Sequence, residues 1–187
     1  MRNVLLAAAV GGLVGFLPVT ASAQQVLSGG DYVKAHNDLR AKHCVPPLKR
    51  SARLEEEARK WALLQAQRDE MEHATDLNGI GENLFSAAQS SGSYNDGVVH
   101  QRAAQDWYDE IKDYKFDSPR PHADTNGVVG HFTQLVWRAS TEVGCANVAY
   151  TKDGMNKVVS VCRYAPGGND VSNDGALYKV NVPKACK

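Results

Sequence analysis

An excess of charge of either sign is what this sequence most clearly lacks. Its 21 Lys and Arg residues balance 21 Asp and Glu, giving a formal net charge of zero. No basic stripe with interleaved aromatics runs along it, which excludes an electrostatic footprint for nucleic acid. The modest basic concentration at Arg40, Lys42, His43, Lys49, Arg50 and Arg53 reads as a solvated helix face rather than an anion site. After Ala23 no apolar run approaches the ~20 residues that span a bilayer. Internal repeats and long low-complexity segments are missing, which excludes solenoids and repeat arrays. No His-Glu-x-x-His pair occurs, so the helical zinc-protease signature is absent. Cysteine is sparse, at four residues, an even count that allows two bridges in three possible pairings.

The N-terminus has the three parts of a secretory leader. Arg2 is a positive n-region, Val4 to Val19 is an apolar stretch broken by Gly11, Gly12, Gly15 and Pro18, and Ala21-Ser22-Ala23 is a small-residue cleavage motif. The expected signal peptide is residues 1–23, with a single domain over residues 24–187. The leader style suggests a bacterial exported protein, periplasmic or extracellular, and leaves no transmembrane segment after cleavage.

Cys44, Cys145, Cys162 and Cys186 all fall in the exported part, where disulfides form. Asp153-Gly154 is the strongest hairpin signal and separates two strand-like runs, Glu142 to Thr151 and Lys157 to Tyr164. With those two residues as the turn, Lys152 faces Met155 and Cys145 faces Cys162. The cysteines then occupy a non-hydrogen-bonded pair with Cα atoms ~4.5 Å apart, within disulfide range. Cys44 with Cys186 follows by elimination.

Helical spacing predicts a first helix over Asp31 to His43, carrying Val33, Ala35, His36, Leu39 and His43 and ended by Cys44 and Pro46-Pro47. A second spans Ser51 to Met71 with Leu54, Ala58, Trp61, Ala62 and Ala66 inward. Asn78 to Ser86 reads as a loop entering a short strand, and Gln89 to Gly97 as an exposed loop. Asp96 is a candidate cap for a third helix that reaches about Asp113 and buries Val99, Ala103, Ala104, Trp107 and Ile111. A polar loop, Asp117 to Val129, precedes a helix that would align His131, Gln134, Leu135 and Arg138. Pro166-Gly167-Gly168-Asn169 makes a turn in the tail. Helices flanking a small, largely antiparallel sheet imply an α/β fold, a three-layer α-β-α sandwich.

Glu110 is the first residue to suggest chemistry, because it lies on the apolar stripe of the third helix, where a carboxylate is costly unless paired. The plainer alternative is a rotated helix that brings it to the rim. Glu82, between Gly81 and Asn83, is a turn residue or a held acid. His73 is a solvated helix end or a site residue, and His131 is a site residue or an ordinary histidine at a helix start.

The order His73, Gly81-Glu82-Asn83-Leu84, Trp107 with Glu110, His131-Phe132-Thr133-Gln134 with Val136-Trp137, and Cys162-Arg163-Tyr164-Ala165-Pro166-Gly167-Gly168-Asn169 resembles the CAP superfamily. That superfamily is also called SCP/TAPS and embraces cysteine-rich secretory proteins, antigen 5 venom allergens and pathogenesis-related 1 proteins. The spacing is most similar to its Golgi-associated plant pathogenesis-related branch. The likeness runs from about Tyr32 to Val182, including His36-Asn37 with Arg40 and Val45-Pro46-Pro47-Leu48. It implies a cleft lined by a tetrad of His73, Glu82, Glu110 and His131, with His73 and His131 holding a weak, exchangeable Zn2+.

The resemblance implies a secreted binding module for a lipid, sterol or protein partner. One alternative is a metal-dependent hydrolase with Glu82 or Glu110 as general base toward zinc-bound water. Another is a purely structural polar network. The chain departs from the family pattern at Arg163, where Asn is common, in lacking the usual Ser after His73, and in its small number of cysteines.

Overall fold

A computed structural model describes residues 23–117, 128–172 and 175–186. Residues 1–22 of the expected leader and most of the Asp117 to Val129 loop lie outside the described residues. The elements in chain order are β1 (Gln25–Val26), α1 (Tyr32–Ala41), β2 (Lys49–Arg50), α2 (Ala52–Arg68), β3 (Gly81–Gln89), α3 (Asp96–Asp109) running into a 3-10 turn (Glu110–Asp113), α4 (Gly130–Leu135), β4 (Glu142–Lys152), β5 (Met155–Ala165) and α5 (Ala176–Asn181).

The sheet order is β1-β4-β5-β3, with β2 added to β4 as its one parallel pairing. Alternation along β5 assigns the two faces. Val158, Cys162 and Tyr164 join a core built with α1, α3 and α4, whereas Val159 and Val161 pack with Ala58, Ala62 and Ala66 of α2. The architecture is therefore the expected three-layer sandwich. Close contact of α2 with the sheet needs Gly144, since a Cβ there would collide with the backbone of Leu54 and Glu55.

The hairpin follows the expected register: Lys152 opposes Met155, and Cys145 opposes Cys162 across the turn at Asp153 and Gly154. The Cys145–Cys162 disulfide closes Cα atoms 4.1 Å apart, and Cys44–Cys186 ties the tail to the end of α1. The third strand is longer than its expected extent, because pairing with β5 carries it to Gln89, opposite Asn156.

Several local expectations yield to tertiary contacts. The cap of α3 is Asn95, whose side chain accepts from the Val98 amide. Asp96 is instead buried, accepting from the Gly30 amide and the Asn147 side chain. The basic cluster is not a uniformly solvated face. Arg40 and His43 are buried, with the Arg40 guanidinium donating to the carbonyls of Pro46, Leu135, Trp137 and Ser140. The helix α4 stops at Leu135, whose carbonyl accepts from Arg40 together with those of Trp137 and Ser140 just beyond it, and Arg138 lies exposed outside the helix. The second helix ends at Arg68, where Asp69 turns left-handed (φ 57°) and pairs with Lys157 at 2.7 Å.

Candidate functional site

Four separate segments deliver the tetrad to the free side of β3. His73 comes from the chain after α2, Glu82 from β3, Glu110 from the end of α3, and His131 from the first turn of α4. Gly81 admits α4 to this edge, since a side chain there would strike Gln134. The loop after β5 is fastened in the same place: Gln134 accepts from the Gly168 amide, and the Asn169 side chain donates to the Gly130 carbonyl.

The four side chains meet as two histidine–carboxylate pairs. His73 Nδ1 lies 2.9 Å from Glu82 Oε1, which also accepts from the Ala74 amide at 3.1 Å. His131 Nδ1 lies 2.7 Å from Glu110 Oε1, and the other Glu110 oxygen accepts from the His131 and Phe132 amides, each at 3.1 Å. The second carboxylate is thus both an imidazole orienter and the cap of α4, where backbone donors and the helix dipole favour negative charge. The rings of His73 and His131 have centroids 6.4 Å apart. Trp107 stacks on His131 at 6.1 Å, fixing the ring from the core side.

Exposure differs within each pair. The Glu82 side chain is fully buried while His73 is 58% exposed, so the carboxylate is the anchor and the imidazole the open edge. Glu110 and His131 are 16% and 24% exposed. With Nδ1 of both histidines carrying the hydrogen to a carboxylate, Nε2 of each is the atom available to a ligand. This donor arrangement suits a divalent ion, because carboxylates behind imidazoles fix the tautomer and strengthen the ligand. Among the described residues, the three metal-type donors grouped within 4.8 Å of one another are instead His36, Cys145 and Cys162. Their sulfurs are joined in a disulfide, so that group is no resident metal centre.

Other contacts at the site were not legible as such. Asn83 donates to the His131 carbonyl at 3.0 Å, and Trp107 Nε1 donates to the Leu84 carbonyl at 2.9 Å, so β3, α3 and α4 are stitched together directly behind the tetrad. Arg163 approaches Glu82 at 3.2 Å. The motif around Asn83 and the departure at Arg163 were visible in the sequence, but their contacts required the β3–β5 register. Deeper in, His36 lies between the Tyr32 carbonyl and the Tyr164 hydroxyl, and burial lowers its imidazole to about 4.

Comparison with known proteins identifies the family of the fold. The cysteine-rich secretory protein family model, CAP, matches residues 33–164. Human Golgi-associated plant pathogenesis-related protein 1 is 37% identical over 154 residues, covering 81% of this chain and 90% of that protein. Cysteine-rich secretory protein 2 of Cavia porcellus is 34% identical over 166 residues, and the match spans 83% of this chain but only 62% of that relative. The solved structure of BmVAL-1 superposes with a TM-score of 0.61 at 27% identity, covering 77% of this chain and 82% of that one. A structure described as NaASP2 with Zn2+ shares the fold, with a TM-score of 0.55 at 19% identity over 83% of this chain and 84% of the other. The named protein relatives come from animals and give no support to the bacterial origin read from the leader. Among the described residues no helix is long and apolar enough to cross a membrane. The family match and the two relatives establish that the chain belongs to the cysteine-rich secretory protein (CAP) family.

Proposed function

We propose that this chain is a secreted binding module whose cleft holds an exchangeable divalent ion, Zn2+ being the best fit, and presents it to a lipid, sterol or protein partner. The carrying observation is the pair of imidazoles, His73 and His131, each turned by a carboxylate at Nδ1. Such a site has two firm protein ligands, which suits weak binding with water completing the sphere, unlike the four-ligand closure of structural zinc. The zinc named with the NaASP2 structure supports the same reading of this fold. When bound, the ion supplies a positive, Lewis-acidic point at the floor of the cleft.

Binding is favoured over hydrolysis by where the carboxylates point. The Glu82 side chain has no exposed surface, and Glu110 already accepts from His131 Nδ1 and the His131 and Phe132 amides. Neither is a free base facing open solvent, as activation of a metal-bound water would require. Mass spectrometry of lipids extracted from the purified secreted form tests the partner class. A stoichiometric lipid or sterol retained across preparations is expected for a lipid-binding module, and repeatedly empty protein counts against that class.

A further inference from the structure

In the pairing of β3 with β5, Glu82 stands directly opposite Arg163. Both side chains point to the face of the sheet covered by α2. There Arg163 Nη2 is 3.2 Å from Glu82 Oε2, and Arg163 Nη1 is 3.9 Å from Glu57 Oε2 on α2. Glu57 in turn pairs with Arg53 at 2.7 Å. A string of alternating charge therefore runs from the surface of α2 inward to the back of the tetrad, ending at Glu82 and His73.

The inner contact is electrostatic rather than a well-directed hydrogen bond, since Glu82 Oε2 and Arg163 Nε each lack a hydrogen-bond partner. Arg163 is 10% exposed and Glu82 fully buried, so solvent screens the pair weakly. Two consequences follow from the charges. The guanidinium compensates the charge of a buried carboxylate whose other oxygen already accepts from His73 and the Ala74 amide. It also cancels part of the negative charge that Glu82 presents behind His73, and outer carboxylate charge is what strengthens an imidazole as a metal ligand.

From this geometry we infer that Arg163 is a positioning residue that holds Glu82 in place while weakening the cleft's grip on a divalent ion, which keeps the ion exchangeable. The inference rests on the cation reading of the cleft. It predicts opposite signs for stability and affinity when the charge is removed, whereas a merely structural residue would lower both.

The test is calorimetric titration of zinc into metal-free wild type, Arg163→Asn, Arg163→Lys and His73→Ala, with thermal unfolding of each metal-free protein. Arg163→Asn is expected to unfold at lower temperature yet bind zinc about tenfold more tightly, equal in size but opposite in sign to the smallest losses typical of substitutions behind a metal ligand. Arg163→Lys, which keeps the charge, is expected to stay near wild type in affinity. Should the Asn variant not fold, Arg163→Gln, which retains more of the side-chain length, is read in its place. A neutral variant that binds zinc no more tightly than wild type overturns the inference. If wild type takes up zinc and His73→Ala does not, that failure leaves the cation site standing. If wild type takes up none, the cation site and this inference fall together.

Discussion

Glu110 holds His131 twice, at the ring through Nδ1 and at the backbone through the amide that opens α4. Orientation of the site imidazole and initiation of its helix are thus one interaction. Glu110→Ala should release both, costing about 1–2 kcal/mol as the loss of an N-terminal cap with its charge. Glu110→Gln retains acceptor geometry for part of the network and should cost less. Urea unfolding of the two variants checks the order.

Arg40 is the buried counterpart of that arrangement on the far side of α4. Its guanidinium gathers the carbonyls of Pro46, Leu135, Trp137 and Ser140, and burial lowers it to about 10, so it stays charged at neutral pH. Lysine cannot reproduce the planar fork. Arg40→Lys should therefore destabilise by about 2–3 kcal/mol through carbonyls left unpaired, measured by denaturant midpoint at unchanged slope.

The Cys44–Cys186 bridge closes a separation of 142 residues. Beside it, the Cys186 amide donates to the Lys42 carbonyl, and His43 Nδ1 lies 2.7 Å from the Pro183 carbonyl. Replacing both cysteines by alanine should lower stability by about 2–4 kcal/mol. Tail proteolysis in the double variant, with the rest of the domain intact, is the expected local readout.

His36 makes stability depend on pH. As a neutral ring it donates to the Tyr32 carbonyl from Nδ1 and accepts from the Tyr164 hydroxyl at Nε2, so protonation removes the second bond and buries a charge. Burial lowers its folded value to about 4, against about 6.5 in an unfolded chain. Between those values the unfolded chain binds more protons. The stabilisation is complete above about pH 6.5 and is lost as pH falls toward about 4, amounting to roughly 3 kcal/mol. Burial shifts His43 and His100 the same way. Urea midpoints measured between about pH 7 and about pH 4.5 should fall less steeply in His36→Gln than in wild type.

The parts legible in the sequence were those set by short-range rules. Hairpin chemistry at Asp153-Gly154 placed Cys145 opposite Cys162, and helical spacing marked the buried stripe of α3 through Trp107. The tetrad residues were named through a family resemblance, since no local rule distinguishes His73 from a solvated helix end. What could not be read depended on contacts between distant segments. Asp96 has the composition of a cap, yet the preceding Asn95 takes that role because Asp96 is drawn to Gly30 and Asn147. Arg40 and His43 carry the composition of a wet surface, and only the carbonyls beyond α4 and in the tail explain their burial. Arg163 was visible as a departure from pattern, but its meaning came from lying opposite Glu82.

Zinc titration of the metal-free protein by calorimetry, repeated with His73→Ala and His131→Ala, addresses the cleft most directly. One ion per chain in wild type, with uptake lost in each variant, is the expected result. No uptake by wild type, or uptake unchanged in both variants, would contradict a cation held between His73 and His131.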